Sequence, residues 1–352
     1  MILDPLLDLF RGRTITVPPM DGAFRPDTRL DEAPVLAELP EPDNLAVLKD
    51  GLVASSGNAV FSIGEGGEPR VLETYPAPVT ALAVSPADEI AVGLETGMLT
   101  IGSAAVGLPD AVRCITALAY GADGTLWLAN GSSACSPGAW AADLLRKAAS
   151  GSLWKREAGE SSFRQVAGGL AFPNGLLADG DGIVASEAWR HRLIRVGGAG
   201  VRAATAADHL PGYPARLSRG ADGGVWLCLF APRNRLVEFV LREERYRQDM
   251  LRDVPPAYWI APAFSSGRDF LEPLQCGGIK TMGVHKPWSP SRSYGMVVRL
   301  DAGLMPVSSL HSRADGRRHG TCSAVEHRGR LVVASRGGGC LVTVDNAAAG
   351  GS

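Results

Sequence analysis

The amino-acid sequence predicts an all-β protein that forms a single six-bladed β-propeller. A pattern of an apolar segment, a tight turn and a second apolar segment recurs six times, and a further apolar segment precedes each next copy. The 352 residues include 43 glycines and 24 prolines, which indicates many turns between short elements. Four short strands per unit, repeated around a ring, are typical of a propeller. A β-sandwich or two smaller β domains would explain the regular strand order less well.

The first segment of each copy is expected to line the central channel. These segments start at Asp43, Thr80, Thr116, Asn174, Ala215 and Thr321. Turns that reverse the chain follow five of them, at Asp50-Gly51, Asp123-Gly124, Asp181-Gly182, Asp222-Gly223 and Arg328-Gly329. The second segments, such as 182–186 and 330–335, then return to the face where the first segments began.

The ring is expected to close with a strand from the N-terminal part of the chain. Residues 33–37 are apolar and precede the first copy, and little sequence follows the last third strand at 340–344. We therefore predict that the N-terminal strand completes the last blade and closes the ring. This closure protects the exposed edges of the strands.

Two long insertions are predicted to overhang one mouth of the channel. Residues 132–151 interrupt the third copy and residues 230–294 interrupt the fifth, each directly after a second strand. We expect both to be partly helical, with one helix at 140–147 and another that Asn234 caps and that runs to about Leu251. The whole chain, 1–352, then forms one domain with a lid over its mouth. The alternative is that the insertions only cover apolar surface or form an oligomer contact.

Composition gives no electrostatic reason to expect nucleic acid or an anionic membrane as a partner. The formal net charge is −2, and no apolar run approaches the roughly 20 residues that span a bilayer. The first ten residues lack a basic leader, so we expect no secretory signal. The six cysteines form no CxxC pair and are expected to be reduced and mostly buried, which favours a cytoplasmic location. The sequence leaves the oligomeric state open.

Candidate catalytic residues follow from their positions at the predicted mouth. Glu187 ends the second strand of the fourth copy and should lie beside Asn174, although it could equally pair with Arg190 or Arg192. His191 lies in the adjoining loop and His319 precedes the last inner strand. Either histidine could act as a general base on water, or could have a purely structural hydrogen bond.

Candidate substrate-binding residues surround the same opening. Thr80, Thr116 and Thr321 start inner strands, Tyr213 lies between Gly212 and Pro214, and His285 belongs to the long insertion. For Tyr213 and His285, packing within a loop is the alternative.

Three stretches carry a resemblance to a known group of propellers. They comprise 172–176 with 186–187 and 190–193, then 210–214 with 222–227 and 231–234, and finally 294–300 with 309–311. In order and spacing, the chain is similar over about residues 33–345 to the strictosidine-synthase-like branch of the gluconolactonase/senescence-marker superfamily of six-bladed propellers.

The resemblance implies a divalent cation, usually calcium, at the mouth of hydrolytic members. Acid and amide side chains at the starts of inner strands hold it, which makes Asp43 and Asn174 the candidate metal ligands here. Such an ion would polarise a carbonyl oxygen of the substrate. Ala215 stands where an aspartate is expected and Thr116 where an asparagine often stands, so two of four ligands are lost or weakened.

The resemblance also implies that the condensing activity of the branch is disfavoured. Its plant enzyme uses no metal but a glutamate near the start of the last inner strand, where this chain has Cys322 with Thr321 beside it. We therefore expect a small-molecule hydrolase of lactonase or esterase type. The alternatives are a metal-free condensing or lyase enzyme and a ligand-binding propeller without catalysis.

Overall fold

The computed structural model describes residues 17–197, 203–267, 269, 271–273, 280–281, 284–285 and 291–345. Within these residues, 24 strands form six four-stranded antiparallel sheets, and the chain is the predicted six-bladed propeller. In each blade the first strand lies innermost and the following strands pair outwards in order.

The strand bounds, in chain order, follow the predicted repeat. Strand β1 (Val35–Glu38) comes first and belongs to the last blade. Blades one and two comprise β2 (Pro42–Leu48), β3 (Gly51–Ser56), β4 (Ala59–Ile63), β5 (Pro69–Thr74), then β6 (Val79–Val84), β7 (Ile90–Leu94), β8 (Leu99–Ile101) and β9 (Ala104–Val106). Blades three and four comprise β10 (Ile115–Tyr120), β11 (Leu126–Asn130), β12 (Gly151–Arg156), β13 (Arg164–Leu170), then β14 (Pro173–Asp179), β15 (Gly182–Glu187), β16 (Arg192–Val196) and β17 (Ala204–Ala207).

The last two blades complete the ring. Blade five comprises β18 (Gly212–Arg219), β19 (Val225–Pro232), β22 (Gly295–Leu300) and β23 (Pro306–Ser312), with the short hairpin β20 (Lys280–Thr281) and β21 (Val284–His285) inside its insertion. Blade six comprises β24 (Thr321–His327), β25 (Arg330–Ser335) and β26 (Cys340–Asp345).

The N-terminal strand closes the propeller, as predicted. Strand β1 pairs antiparallel with β26, with Val35 opposite Val342 and Ala37 opposite Leu341, and so becomes the outer strand of blade six. Main-chain hydrogen bonds within blade six therefore join the N-terminal strand to the C-terminal strand and close the ring.

Much of the apolar core lies between neighbouring blades. Leu52 and Leu341 pack between blades six and one, for example, and Ile183 packs with Trp127 between blades three and four. Each sheet is covered on both faces, so its middle strands are buried almost throughout, as in β25, where only Arg330 is exposed. This explains why these strands read as continuous apolar runs instead of alternating ones. Each fully buried aliphatic side chain contributes about 1.5–3 kcal/mol.

The segment that precedes β1 packs against blade five. It contains a short 3-10 turn (Gly22–Phe24) and a one-turn helix α1 (Arg29–Glu32), whose Leu30 is fully buried. Asp27 Oδ1 accepts the backbone N–H of His311 at 2.9 Å, and Asp31 Oδ1 accepts the Ser312 hydroxyl at 2.8 Å. Residues 22–32 therefore lie on the ring and hold the edge of β23.

Helices occur mainly in the two insertions. The first insertion has a 3-10 turn (Pro137–Ala139) and helix α2 (Trp140–Arg146), which ends at Lys147 in a left-handed conformation with φ 54°. The second has α3 (Arg235–Val240), α4 (Glu244–Asp253) and a 3-10 turn (Pro256–Tyr258), and a further 3-10 turn (Ala188–Arg190) follows β15. Asn234 caps α3 as predicted, since its side-chain oxygen accepts the N–H of Leu236 at 2.8 Å.

The second insertion differs from the prediction in one respect. Where one helix was expected from Asn234 to about Leu251, the chain turns at Arg242 and Glu243 between two helices. Val240 of the first helix and Met250 of the second belong to the same apolar cluster. In the parts of the chain that the structure describes, none of the helices has the length and apolar character required to cross a membrane.

Candidate functional site

A β-bulge or similar irregularity interrupts every inner strand close to the same mouth. In β6 the pairing with β7 jumps from Val79 to Ala81, which leaves Thr80 out of register. The same jump leaves out Thr116 in β10, Asn174 in β14 and Cys322 in β24. Longer irregularities span Asp43 and Asn44 in β2 and Ala215 and Arg216 in β18. A bulge re-aims a side chain out of the alternating pattern of the strand.

These irregularities surround a cavity at the channel mouth. Its volume is about 230 Å³, which is below the usual range for drug-sized ligands and suits a smaller molecule. From the inner strands it is lined by Asp43, Val79, Thr80, Thr116, Asn174, Ala215, Arg216 and Cys322. The inner strand of each of the six blades thus contributes one or two residues to a common space.

A charged cluster, formed by Asp43, Arg216 and Arg336, lies in this cavity. The guanidinium of Arg216 donates to both carboxylate oxygens of Asp43, from Nη1 to Oδ1 at 3.0 Å and from Nη2 to Oδ2 at 2.9 Å. Nη2 also donates to the carbonyl of Thr80 at 2.9 Å. Both side chains are largely buried, at 14% and 13% exposed, so this is a bidentate ion pair shielded from water.

Arg336 is the third member and is held differently. Its guanidinium stacks over the ring of Phe264, with 4.5 Å from Cζ to the ring centroid. The nearest carboxylate oxygens, of Asp43 and Glu41, are each 3.7 Å away, which is too long for a hydrogen bond. Although burial disfavours its charge, the carboxylates of Asp43 and Glu41 raise the pKa of Arg336 above its ordinary value.

An aromatic wall adjoins the charged cluster. It consists of Trp140, Phe172, Trp189, Phe230 and Phe264. Trp140, Phe230 and Phe264 form a triangle in which every pair of ring centroids is 5.4 Å apart, and Phe172 stacks on Trp189 at 4.6 Å. Trp140 comes from the first insertion and Phe264 from the second, so both insertions contribute to the cavity.

Buried polar contacts fix the wall on the side of the first insertion. The indole N–H of Trp189 donates to Asp143 Oδ1 of α2 at 2.7 Å. Burial raises the pKa of Asp143, although hydrogen bonds from Ser132 and Trp189 oppose this. Glu95, at the end of β7, accepts the N–H of Gly138 with both oxygens at 2.9 Å. Helix α2 is thus anchored to blades two and four.

Two glycines fix the wall on the side of the second insertion. A Cβ atom on Gly337 would lie 1.9 Å from the carbonyl oxygen of Phe264, and one on Gly320 would lie 2.7 Å from it. Gly320 also has φ +64°, in the left-handed region. The backbone of Phe264 therefore rests directly on blade six, next to Arg336, in a position that no larger residue would allow.

Four of the predicted site residues line the cavity: Asp43, Asn174, Thr80 and Thr116. The two threonine hydroxyls are already engaged, because Thr80 Oγ1 donates to the carbonyl of Ile115 at 2.7 Å and Thr116 Oγ1 to that of Pro173 at 2.5 Å. Each of these bonds ties one inner strand to the next. The side chain of Asn174 is partly exposed and makes no hydrogen bond to the residues that the structure describes.

The predicted position in blade six is displaced by one residue. Thr321 is paired in register with Ser335, and its hydroxyl lies 3.1 Å and 2.8 Å from the carbonyls of Leu229 and Met296 in blade five. The bulged residue Cys322 lines the cavity in its place. Burial and the nearby charge of Asp43 raise the pKa of the Cys322 thiol well above its usual range.

The predicted histidines lie behind the cavity, not among its lining residues. His191 is buried, with Nδ1 3.1 Å from the carbonyl of Gly212 and Nε2 3.3 Å from Glu238 Oε1. His319 is buried, with Nδ1 2.7 Å from the Ser293 hydroxyl and Nε2 2.7 Å from the carbonyl of Arg313. Burial lowers the pKa of His319, which keeps it neutral, and both rings act here as connectors between segments.

Glu187, Tyr213 and His285 complete the predicted set. Glu187 is fully buried and accepts from the N–H of Ala171 at 2.7 Å and from Arg192 Nε at 2.6 Å, so it is the arginine-paired structural carboxylate that the sequence allowed as an alternative. Tyr213 is fully buried behind the wall, with its ring centroid 4.6 Å from that of His191. His285 belongs to β21, but its side chain lies outside the described part of the structure.

Sequence reasoning missed the arginines and most of the aromatic wall. Their positions in the sequence could have indicated them, because second strands end at the same mouth. Four lining residues lie at or just after the ends of such strands: Glu95, Trp189, Phe230 and Arg336. Arg216 was visible as a charged residue within an inner strand, directly after Ala215.

The donors at the mouth do not fit a divalent cation. Both oxygens of Asp43, the predicted acidic ligand, accept from Arg216, and a second guanidinium lies 3.7 Å from Oδ1. A cation at this place would be repelled by two fixed positive charges. Within the described residues, no group of three or more His, Cys, Asp or Glu side chains could hold a metal ion.

Comparisons with known proteins agree on the fold. No protein-family model and no curated protein matches the sequence. Among solved structures, XC5397 from Xanthomonas campestris, described as a gluconolactonase, is 15% identical with a TM-score of 0.55 over 88% of this chain and 87% of that one. A second structure, provisionally named a gluconolactonase, is 10% identical with a TM-score of 0.54 over 89% and 91%. At such identities the likeness shows the propeller fold alone.

Proposed function

We propose that the protein is a small-molecule hydrolase of lactone or ester type, which acts in the mouth cavity without a metal ion. The observation that carries this proposal is the charged cluster of Asp43, Arg216 and Arg336 beside the aromatic wall, inside one cavity. Two solved propellers of similar fold are named gluconolactonases, which favours a lactone as the substrate class. Apolar walls with a few convergent polar groups are typical of small-molecule sites.

The chemistry requires a base for water and a donor for the developing oxyanion. Asp43 Oδ1 accepts one hydrogen bond, from Arg216, and a carboxylate oxygen has a second lone pair for a water molecule. That water attacks the carbonyl carbon, and its proton passes to Asp43. The ring C–O bond then breaks and the leaving oxygen takes the proton, which yields a carboxylic acid and an alcohol.

Asn174 is the proposed oxyanion donor. Its side-chain amide lines the cavity and makes no hydrogen bond to the described residues, so its N–H groups can donate to the carbonyl oxygen as negative charge develops. Donors placed in advance at that oxygen contribute about 2.7–4 kcal/mol to transition-state stabilisation.

Hydrolysis of dihydrocoumarin and 4-nitrophenyl acetate tests this proposal. The wild-type protein should hydrolyse at least one of them above the background rate, and Asp43→Asn should lower kcat by about 100-fold or more. Glu65→Gln is the matched control, because Glu65 is an exposed carboxylate of blade one that is paired with an arginine outside the cavity. Turnover that is unchanged in Asp43→Asn would exclude Asp43 as the base.

One observation favours a second candidate, ligand binding without catalysis. Both oxygens of Asp43 already accept from Arg216, an arrangement that also suits a purely structural ion pair. A wild-type protein that binds small aromatic molecules in calorimetry but hydrolyses none of the lactones and esters would support this function and overturn the hydrolase.

A further inference from the structure

The guanidinium of Arg336 is available for a ligand. It lies in the cavity with a side chain that is 32% exposed, and it makes no hydrogen bond to the residues that the structure describes. Its contacts with Asp43 and Glu41 are 3.7 Å long, and Glu41 is itself 65% exposed to water. A guanidinium has five N–H donors in a fixed planar fork, so most of its hydrogen-bonding capacity is unused.

Asp43 does not need the charge of Arg336. Arg216 already pairs with both oxygens of Asp43 at hydrogen-bond distances, which neutralises the carboxylate. Glu95, another carboxylate in the lining, accepts the backbone N–H of Gly138 in the first insertion. Of the two guanidinium groups in the lining, Arg336 is therefore the one that has no hydrogen bond to a carboxylate of the described residues.

Arg336 is also held beside the aromatic wall. Its guanidinium lies over the ring of Phe264, whose backbone rests on Gly320 and Gly337, and the backbone N–H of Arg336 donates to the carbonyl of Gly320 at 3.0 Å. No described residue accepts a hydrogen bond from the guanidinium, so its N–H groups remain for an acceptor. A carboxylate matches the fork of a guanidinium with two parallel hydrogen bonds.

We infer that the substrate carries a carboxylate that binds Arg336 and a flat apolar body that packs on the aromatic wall. The partly exposed rings of Trp140, Trp189 and Phe264 provide the packing surface beside the guanidinium. The inference rests on the proposed function for the reaction, and it narrows the substrate class to anionic lactones or esters.

Binding of phenylacetate and phenylacetamide, measured by isothermal titration calorimetry, tests this inference without any turnover. The two probes share one apolar body and differ in charge. The wild-type protein should bind phenylacetate at least about tenfold more tightly, and Arg336→Gln should reduce this ratio to about twofold or less. Arg336→Lys should retain an intermediate ratio, because it keeps the charge but loses the fork.

Arg330→Ala is the matched control. Arg330 belongs to the same blade, is 61% exposed and pairs with Asp345, so its removal should leave the ratio unchanged. Equal binding of the two probes to wild type, no binding of phenylacetate at about 10 mM, or an unchanged ratio in Arg336→Gln would overturn the inference.

A kinetic comparison separates this inference from the proposed hydrolase. If the enzyme hydrolyses esters, the ratio of kcat/KM for mono-4-nitrophenyl glutarate over 4-nitrophenyl acetate should fall about tenfold or more in Arg336→Gln. Hydrolysis without preference for the anionic ester refutes the inference alone. Selective binding of phenylacetate without any hydrolysis refutes the hydrolase alone.

Discussion

Arg216 and Asp43 are 173 positions apart in the chain, yet the guanidinium of Arg216 donates hydrogen bonds to the carboxylate of Asp43 across the propeller channel. Arg216 belongs to the inner strand of blade five and Asp43 to that of blade one, and Arg216 also binds the carbonyl of Thr80 in blade two. One side chain therefore links three inner strands through the middle of the ring. This ion pair occupies the position where the sequence suggested a cation.

This pair should contribute to stability in a strongly non-additive way. Arg216→Met leaves the largely buried Asp43 without a hydrogen-bonded counter-charge, since Arg336 lies 3.7 Å away, and should lower the free energy of unfolding by about 3 kcal/mol. The double variant Asp43→Asn with Arg216→Met should be more stable than the sum of the single losses by at least about 1 kcal/mol. Urea unfolding of the four proteins measures this coupling, and additive losses would show that the two charges do not interact.

Removal of divalent cations should leave the protein unchanged. Since two guanidinium groups occupy the neighbourhood of Asp43, dialysis against a chelator and addition of calcium should shift the Tm by no more than about 1 °C. Calcium bound at 100 times its Kd would instead add about 2.7 kcal/mol of stability. A rise of Tm by several degrees with calcium would therefore contradict the proposal of a site that acts without a metal ion.

Thr116 should act through the structure of the ring. Its hydroxyl donates to the buried carbonyl of Pro173 in the next blade, so Thr116→Val should lower the free energy of unfolding by about 1–2 kcal/mol. Thr116→Ser keeps the hydroxyl and should lose less than half of that amount. Urea unfolding measures both, and equal losses in the two variants would assign the effect to the lost methyl packing.

Gly337→Ala should disturb the aromatic wall. The new Cβ would lie 1.9 Å from the carbonyl oxygen of Phe264, so the second insertion must shift, and stability should fall by about 1–3 kcal/mol. Tryptophan fluorescence, to which Trp140 against Phe264 contributes, should change with this shift. Gly51→Ala is the control, because its Cβ would meet no atom within 4 Å. A similar response in both variants would refute the close packing at Gly337.

His311 should make the protein sensitive to acid. Burial lowers its pKa to about 4, whereas an unfolded chain has a histidine pKa of about 6.5. Between these values the unfolded state binds more protons, so stability rises with pH, and it is lost as the pH falls from about 6.5 to about 4. The loss should be on the order of 3 kcal/mol.

His311→Gln should flatten this part of the pH profile. The free energy of unfolding in urea, measured at intervals between pH 7 and pH 4, gives the profile of each variant. His209→Gln, which replaces an exposed histidine, should keep the steep profile of the wild type. A flat wild-type profile over this range would contradict the lowered pKa.

The repeat, the closing strand and the position of the insertions were all readable from the sequence. Strand periodicity and turn residues are local features, and six similar units must close a ring to cover their sheets. Asp43, Asn174, Thr80 and Thr116 were found in the same way, because inner strands start at one mouth.

Only the tertiary structure decided which side chains meet there and in what state. Because of a single-residue bulge, Cys322 lines the cavity and the Thr321 hydroxyl bonds to a carbonyl of blade five. No local sequence pattern reveals this bulge. The pairing of Arg216 with Asp43 and the stacking of Phe264 on Arg336 join segments that are distant in sequence. Their partners are determined by ring closure and by the fit of the insertions, because a side chain interacts with whatever the fold places within a few ångströms of it.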